Sequence, residues 1–193
     1  MSTPASTKSG FTQVRVSDTL EVDGVATFEQ GIAFLSAPTG VANKDVSIVT
    51  TGTDSAMASG TQFVTSIFTP TRITVTNINY LIGTVGGTDR VYAVLYSSTG
   101  AVLGNSTLAA AGTVVGTAAT IQTLALTTPV TIPAGRFFIG LSMNGTTARM
   151  RTVGAHTQGG ILAGQVAQVH GTVAAITPPT TFTADRAPFV FIN

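Results

Sequence analysis

Two histidines, His156 and His170, are the only side chains of their kind in the chain, and both fall in one Gly-, Ala- and Gln-rich stretch. Nucleophilic hydrolysis needs a Ser, Thr or Cys beside such a base, and an acid that orients the base in turn. No Asp or Glu occurs between Asp89 and Asp185, cysteine is absent, and no G-x-S-x-G turn is present. The histidines therefore read as residues of a surface loop or a subunit contact. Glycoside hydrolysis needs two carboxylates facing one sugar. Four of the eight acids, Asp18, Glu21, Asp23 and Glu29, crowd into residues 14–34. Three of them occupy the outward positions of an alternating pattern and Asp18 a turn, so they read as a solvated face. Asp18 and Asp23 could offer oxygens to calcium, but the EF-hand spacing is missing. The expectation is no catalytic residue, no cofactor-binding residue and no metal ligand.

Sugar binding without catalysis calls for aromatic rings at a loop edge. The chain has no Trp, and two of its three tyrosines, Tyr92 and Tyr96, sit inside an apolar run. Tyr80, next to Asn77 and Asn79, is the best placed, with core packing the simpler role. The N-S-T at Asn105 and N-G-T at Asn144 fit the glycosylation pattern but read as turns, since the N-terminal residues show no secretory h-region. Synthesis in a cytoplasm is the expectation. Residues 83–87, G-T-V-G-G, lack the dinucleotide-binding spacing.

The elements that would position any site are strands. Residues 14–34 place Val14, Val16, Leu20, Val22, Ala26, Phe28, Ile32 and Phe34 at even positions and mostly Arg, Ser, Thr, Glu and Asp at odd ones. That is the period of a half-buried strand. Asp18, Gly24 and Gln30 interrupt it at six-residue intervals. Three such units are too few for a self-supporting β-helix, because each must bury its apolar edge against a neighbour. Something else must cover Val14, Val16, Leu20, Val22, Phe28, Ile32 and Phe34, which are assigned as an oligomerisation and attachment surface. Three identical stems around a threefold axis would close into a prism with no exposed edge. A hairpin docked on the chain's own domain is the alternative.

Residues 1–13 are Ser/Thr-rich and read as an extended arm, 14–35 as a β stem, 36–60 as a linker or domain edge holding one short strand at 46–50, and 61–193 as the main domain. That domain shows about eight strand candidates at regular spacing and no window with a sustained helical period. S-S-T-G at 97–100 and G-G-T-D at 86–89 mark turns, and Asn144-Gly145 between apolar runs signals a hairpin. The fold class is all-β, an antiparallel jelly-roll-like sandwich preceded by a short N-terminal stem.

The order R-V-Y-A-V-L-Y-S-S-T-G-A-V-L-G-N-S-T, then T-I-Q-T-L-A-L-T-T-P-V-T-I-P-A-G-R-F-F-I-G-L-S-M-N-G, then A-P-F-V-F-I resembles the jelly-roll heads of tailed-bacteriophage virion proteins. L-E-V-D-G-V-A-T-F-E-Q-G-I-A-F is similar to the short trimeric β stems of phage tail fibres and capsid decoration proteins. The resemblance implies a homotrimer on the capsid surface, partnered by the major capsid protein and acting as a cement. A tail-fibre tip that binds host glycan, or a carbohydrate-active enzyme or free lectin, are its alternatives.

Composition narrows the partners. Charged residues make up 9% of the 193, against roughly 25% in ordinary soluble chains. Nine scattered basic and eight acidic residues leave a formal charge of +1 and no basic cluster, so nucleic acid is not an expected partner. Mean hydropathy is +0.41 and residues 91–135 carry no charge, yet Thr, Ser, Asn, Gln, Gly and Pro interrupt that run too often for a membrane-spanning helix. No membrane contact is expected.

Overall fold

The computed structural model describes residues 49–57, 59–156 and 161–193. All lie in the compact unit Leu35–Asn193. The arm and the stem, with Val14, Val16, Leu20, Val22, Phe28, Ile32 and Phe34, lie outside the described residues.

Twelve strands are present among the described residues: β1 Val49–Ser55, β2 Thr61–Thr69, β3 Ile73–Leu81, β4 Arg90–Tyr96, β5 Val102–Asn105, β6 Thr113–Val114, β7 Ile121–Ile132, β8 Gly135–Met143, β9 Met150–His156, β10 Ala163–Ala167, β11 Ala187–Pro188 and β12 Val190–Ile192. The one helical element among them is a 3-10 turn, Ala109–Ala111. Strands pair antiparallel in three sheets, ordered β10-β2-β8-β4-β5 with β6 on β4, β12-β3-β7, and β1-β9-β11.

The winding is jelly-roll-like. The chain crosses from the first sheet to the second and back in β2, β3 and β4, then returns through β7 and β8. On the return β8 inserts between β2 and β4 while β7 pairs β3, so Ile139 has Thr65 on one side and Leu95 on the other. Residues 187–192 stitch the other two sheets together. The Phe189 N–H donates to the Arg151 carbonyl at 3.0 Å, and the Phe189 carbonyl accepts from the Leu81 N–H at 3.1 Å.

Alternation assigns the faces. Phe63, Ile67, Leu95, Ile139, Leu141 and Met143 pack against Val75, Ile78, Tyr80, Leu124, Ile132 and Ile192 in the main core. The intervening residues Val64, Tyr92, Val94, Tyr96 and Phe138 form a second apolar layer on the opposite face of the same sheet. Leu108, Leu162, Val166, Val173 and Ile176 cover it. Both faces of β4 are thus buried, which is why R-V-Y-A-V-L-Y reads as an apolar run rather than a strict alternation. Burying each such side chain contributes about 1.5–3 kcal/mol.

Apart from Leu108, the cover comes from residues 161–178, an uncharged stretch that runs as a strap across the sheet. It is tied at one end of the domain by the Ile176 N–H, which donates to the Gly100 carbonyl at 3.0 Å. Gly100 has φ +87 in the S-S-T-G turn between β4 and β5, and a Cβ there would strike the Ile176 carbonyl. Only glycine satisfies both demands. The Asn144-Gly145 signal turns out otherwise. β8 and β9 do not pair with each other, and a six-residue connection separates Met143 from Met150. Gly145 serves instead as the point where the Asp89 carboxylate approaches, occupying the place of a Cβ.

Residues 49–55, polar and Gly-containing, form β1 on the strength of pairing with β9, with register breaks around Thr51.

Candidate functional site

The strap carries a cluster of hydrogen-bonded polar side chains. β4 supplies Tyr92, β8 supplies Ser142, and the strap brings His170 between them. The His170 ring lies 5.1 Å from the Tyr92 ring, tilted by 53°. Its Nε2 is 2.8 Å from the carbonyl oxygen of Ala111, an acceptor with no proton of its own. That contact puts the proton on Nε2 in the neutral ring, so Nδ1 accepts from the Ser142 hydroxyl at 3.2 Å. The Tyr92 hydroxyl donates to the Thr172 carbonyl at 2.8 Å, and the Gln168 amide to the same oxygen at 2.9 Å. Burial raises the Tyr92 pKa.

A serine hydroxyl on a histidine nitrogen is the arrangement of a nucleophile and its base. Here a backbone carbonyl stands where an orienting acid would, and Ser142 is 0% exposed behind the strap. A substrate has no path to that hydroxyl. What the arrangement does is pin the strap, joining residues 28 and 59 positions apart in sequence. The side chain of His156, at the end of β9, is outside the described residues.

Beside this cluster the Tyr96 hydroxyl donates to Gln62 Oε1 at 2.8 Å, with both side chains fully buried. Gln62 Nε2 has no partner among the described residues. Burial pushes the Tyr96 hydroxyl up to about 12. Tyr80 is equally enclosed, donating to Gln122 Oε1 at 2.7 Å, and burial raises its pKa too. All three tyrosines are core residues, so none presents a ring to a sugar.

The described acids hold loops. Asp54 accepts from the Thr84 N–H at 2.7 Å and pairs with Arg151 at 3.2 Å. Burial works against its charge, but the Thr84 bonds and Arg151 win and lower its pKa. Asp89 Oδ2 accepts from the Thr147 and Ala148 N–H groups at 2.9 and 2.8 Å. Asp185 accepts from the Thr53 N–H at 3.1 Å, the main cause of its lowered pKa. Among the described residues no cluster of His, Asp and Glu could hold a metal ion.

One surface feature escaped the sequence reading. Phe68 is 59% exposed near the end of β2, and Arg136 stands directly across from it on β8. Both belong to the face that the strap covers further along, where Val64 and Phe138 lie. Its sequence signal is an aromatic in an outward register just before the Thr-Pro turn at 69–70.

No protein family, curated protein or solved structure matches the chain.

Proposed function

We propose that the chain is a non-enzymatic virion structural protein of a tailed bacteriophage, a trimeric capsid decoration protein. In this reading residues 1–35 grip the coat and one another, and the jelly-roll-like domain projects from the capsid surface. The observation that carries it is the apolar edge of residues 14–34, which its own sequence neighbourhood does not complete. Identical stems around a threefold axis would complete it. The head supports the reading: each described acid is committed to a loop contact, and the Ser142–His170 pair is shut in. A cement of this kind buries surface at junctions between coat subunits, so separating the coat must also break cement contacts.

Light scattering of the purified chain tests the trimer, and a monomer at micromolar concentration, with or without coat protein, overturns it. Mass spectrometry of purified particles tests the location: hundreds of copies fit a cement and a handful a fibre. The second reading is a tail-fibre tip that binds host glycan, favoured by exposed Phe68 beside Arg136, where a sugar face could stack and a carboxylate could pair. Binding on a glycan array that Phe68→Ala abolishes would select it.

A further inference from the structure

Asn144 is the only asparagine of the chain followed by glycine, and the sequence signal it carries is not used for a hairpin. The loop around it assembles three groups that amide chemistry requires. The Arg90 N–H donates to Asn144 Oδ1 at 2.7 Å, and the Asn144 N–H donates to the Arg90 carbonyl at 3.1 Å. The side-chain carbonyl is therefore held and polarised by a fixed donor, which would also stabilise negative charge developing on Oδ1. Gly145 follows with no Cβ to hinder attack by its own nitrogen. The third group is Asp89, whose carboxylate crowds Gly145 on the side of its Cα that a Cβ would take, one atom from the Gly145 nitrogen. Its Oδ2 is taken up by two backbone N–H groups, whereas Oδ1 makes no hydrogen bond among the described residues. Asn144 itself is exposed, so water can enter and ammonia can leave.

We propose that Asn144–Gly145 is a self-modification site, at which the fold promotes conversion of the asparagine to aspartate and isoaspartate with Asp89 as the base. The Gly145 nitrogen bonds to Asn144 Cγ while its proton passes to Asp89 Oδ1. The tetrahedral centre then collapses: the Cγ–Nδ2 bond breaks, and the amide leaves as ammonia with the proton returned by Asp89. The result is a five-membered succinimide. One water opens it at either carbonyl, giving aspartate or isoaspartate, so water is consumed, ammonia released and no oxidant is involved. Either product places a carboxylate beside Asp89, and isoaspartate adds a methylene to the backbone of the connection that Asp89 braces at Thr147 and Ala148. The device acts once per molecule and marks its age.

Peptide mapping by mass spectrometry, on full-length protein aged at neutral pH, reads the amide-to-acid conversion at Asn144. Folded protein should convert faster than the same protein kept unfolded in urea. Asp89→Asn retains a carbonyl oxygen for the Thr147 and Ala148 N–H groups and should slow conversion tenfold or more, since a positioned base contributes about a hundredfold or more. Conversion in the folded protein that is equal to or slower than in urea overturns the proposal. So does an Asp89→Asn protein of unchanged melting temperature that converts at the parent rate. Should that variant fail to fold, the comparison with urea decides alone.

Discussion

Replacing Tyr96 by Phe removes one oxygen from the middle of the sheet and leaves the whole Gln62 amide without a partner. Gln62 and Tyr96 are both fully buried, and among the described residues Gln62 Oε1 accepts only the Tyr96 hydroxyl and Nε2 has no partner. A buried polar group stripped of its partner costs about 1–3 kcal/mol. A cost near 2 kcal/mol lowers the melting temperature of a domain this size by roughly 4–8 °C. Gln62→Met, close in shape, makes the complementary cut by stranding the Tyr96 hydroxyl, and should cost a similar amount. Shape constrains the choice, because the Gln62 amide lies against Gly140, where a Cβ would collide with it. The double variant Gln62→Met, Tyr96→Phe removes every polar atom of the pair, including the orphan Nε2. It should melt at or above the parent temperature, so the two losses should cancel rather than add. Thermal and urea denaturation of the four proteins, with unchanged urea slopes, measures the cycle. Additive losses, or a Tyr96→Phe protein as stable as the parent, would refute the assignment of this bond as the sole partner of a buried amide.

The raised tyrosine pKa values set an alkaline limit. Unfolded tyrosines ionise near 10 whereas Tyr96 holds its proton to about 12 and Tyr80 is raised as well, so the unfolded state loses protons first. The tyrosine contribution to stability should be level below pH 10 and fall between pH 10 and 12, and the phenolate absorbance of these residues should appear together with loss of β-sheet signal; phenolate formation well below pH 12 in a folded chain would contradict their burial. Gly100→Val forces a side chain against the Ile176 carbonyl at a φ of +87. Hydrogen exchange should rise across residues 161–178 more than in β2 and β8, and uniform exchange would show that the strap is not anchored there. Phe28→Asp and Ile32→Asp should weaken self-association on light scattering while circular dichroism shows the head folded, because a charge buried without a partner is costly; global unfolding would favour a hairpin docked on the chain's own domain instead.

Local patterns were legible in this sequence wherever neighbours in the chain decide the outcome. Period-two alternation marked β2 and β3, the S-S-T-G run marked the tight turn that Gly100 completes, and the absence of a helical period left only one 3-10 turn among the described residues. The all-β class and the sandwich follow from those signals, since strands with one apolar face must be covered. Residues 14–34 display such a face too, and alternation says that it needs a partner without saying which. Other features depended on residues far apart in sequence. Asn144-Gly145 carries a hairpin signature, but β8 found better partners in β2 and β4, and pairing with them sent the chain into a longer connection. The segment after β9 looked like a loop because its apolar residues follow no period; it covers Tyr92, Tyr96 and Phe138 as a strap, and a strap needs contacts without needing periodicity. His170 meets Ser142, and Asp89 meets Gly145, only once those strands have packed. Alternation and turn chemistry act over a few residues and are written in the order of the chain, whereas strand order and the placing of a side chain against a distant backbone depend on which total packing buries the most apolar surface with its polar groups paired.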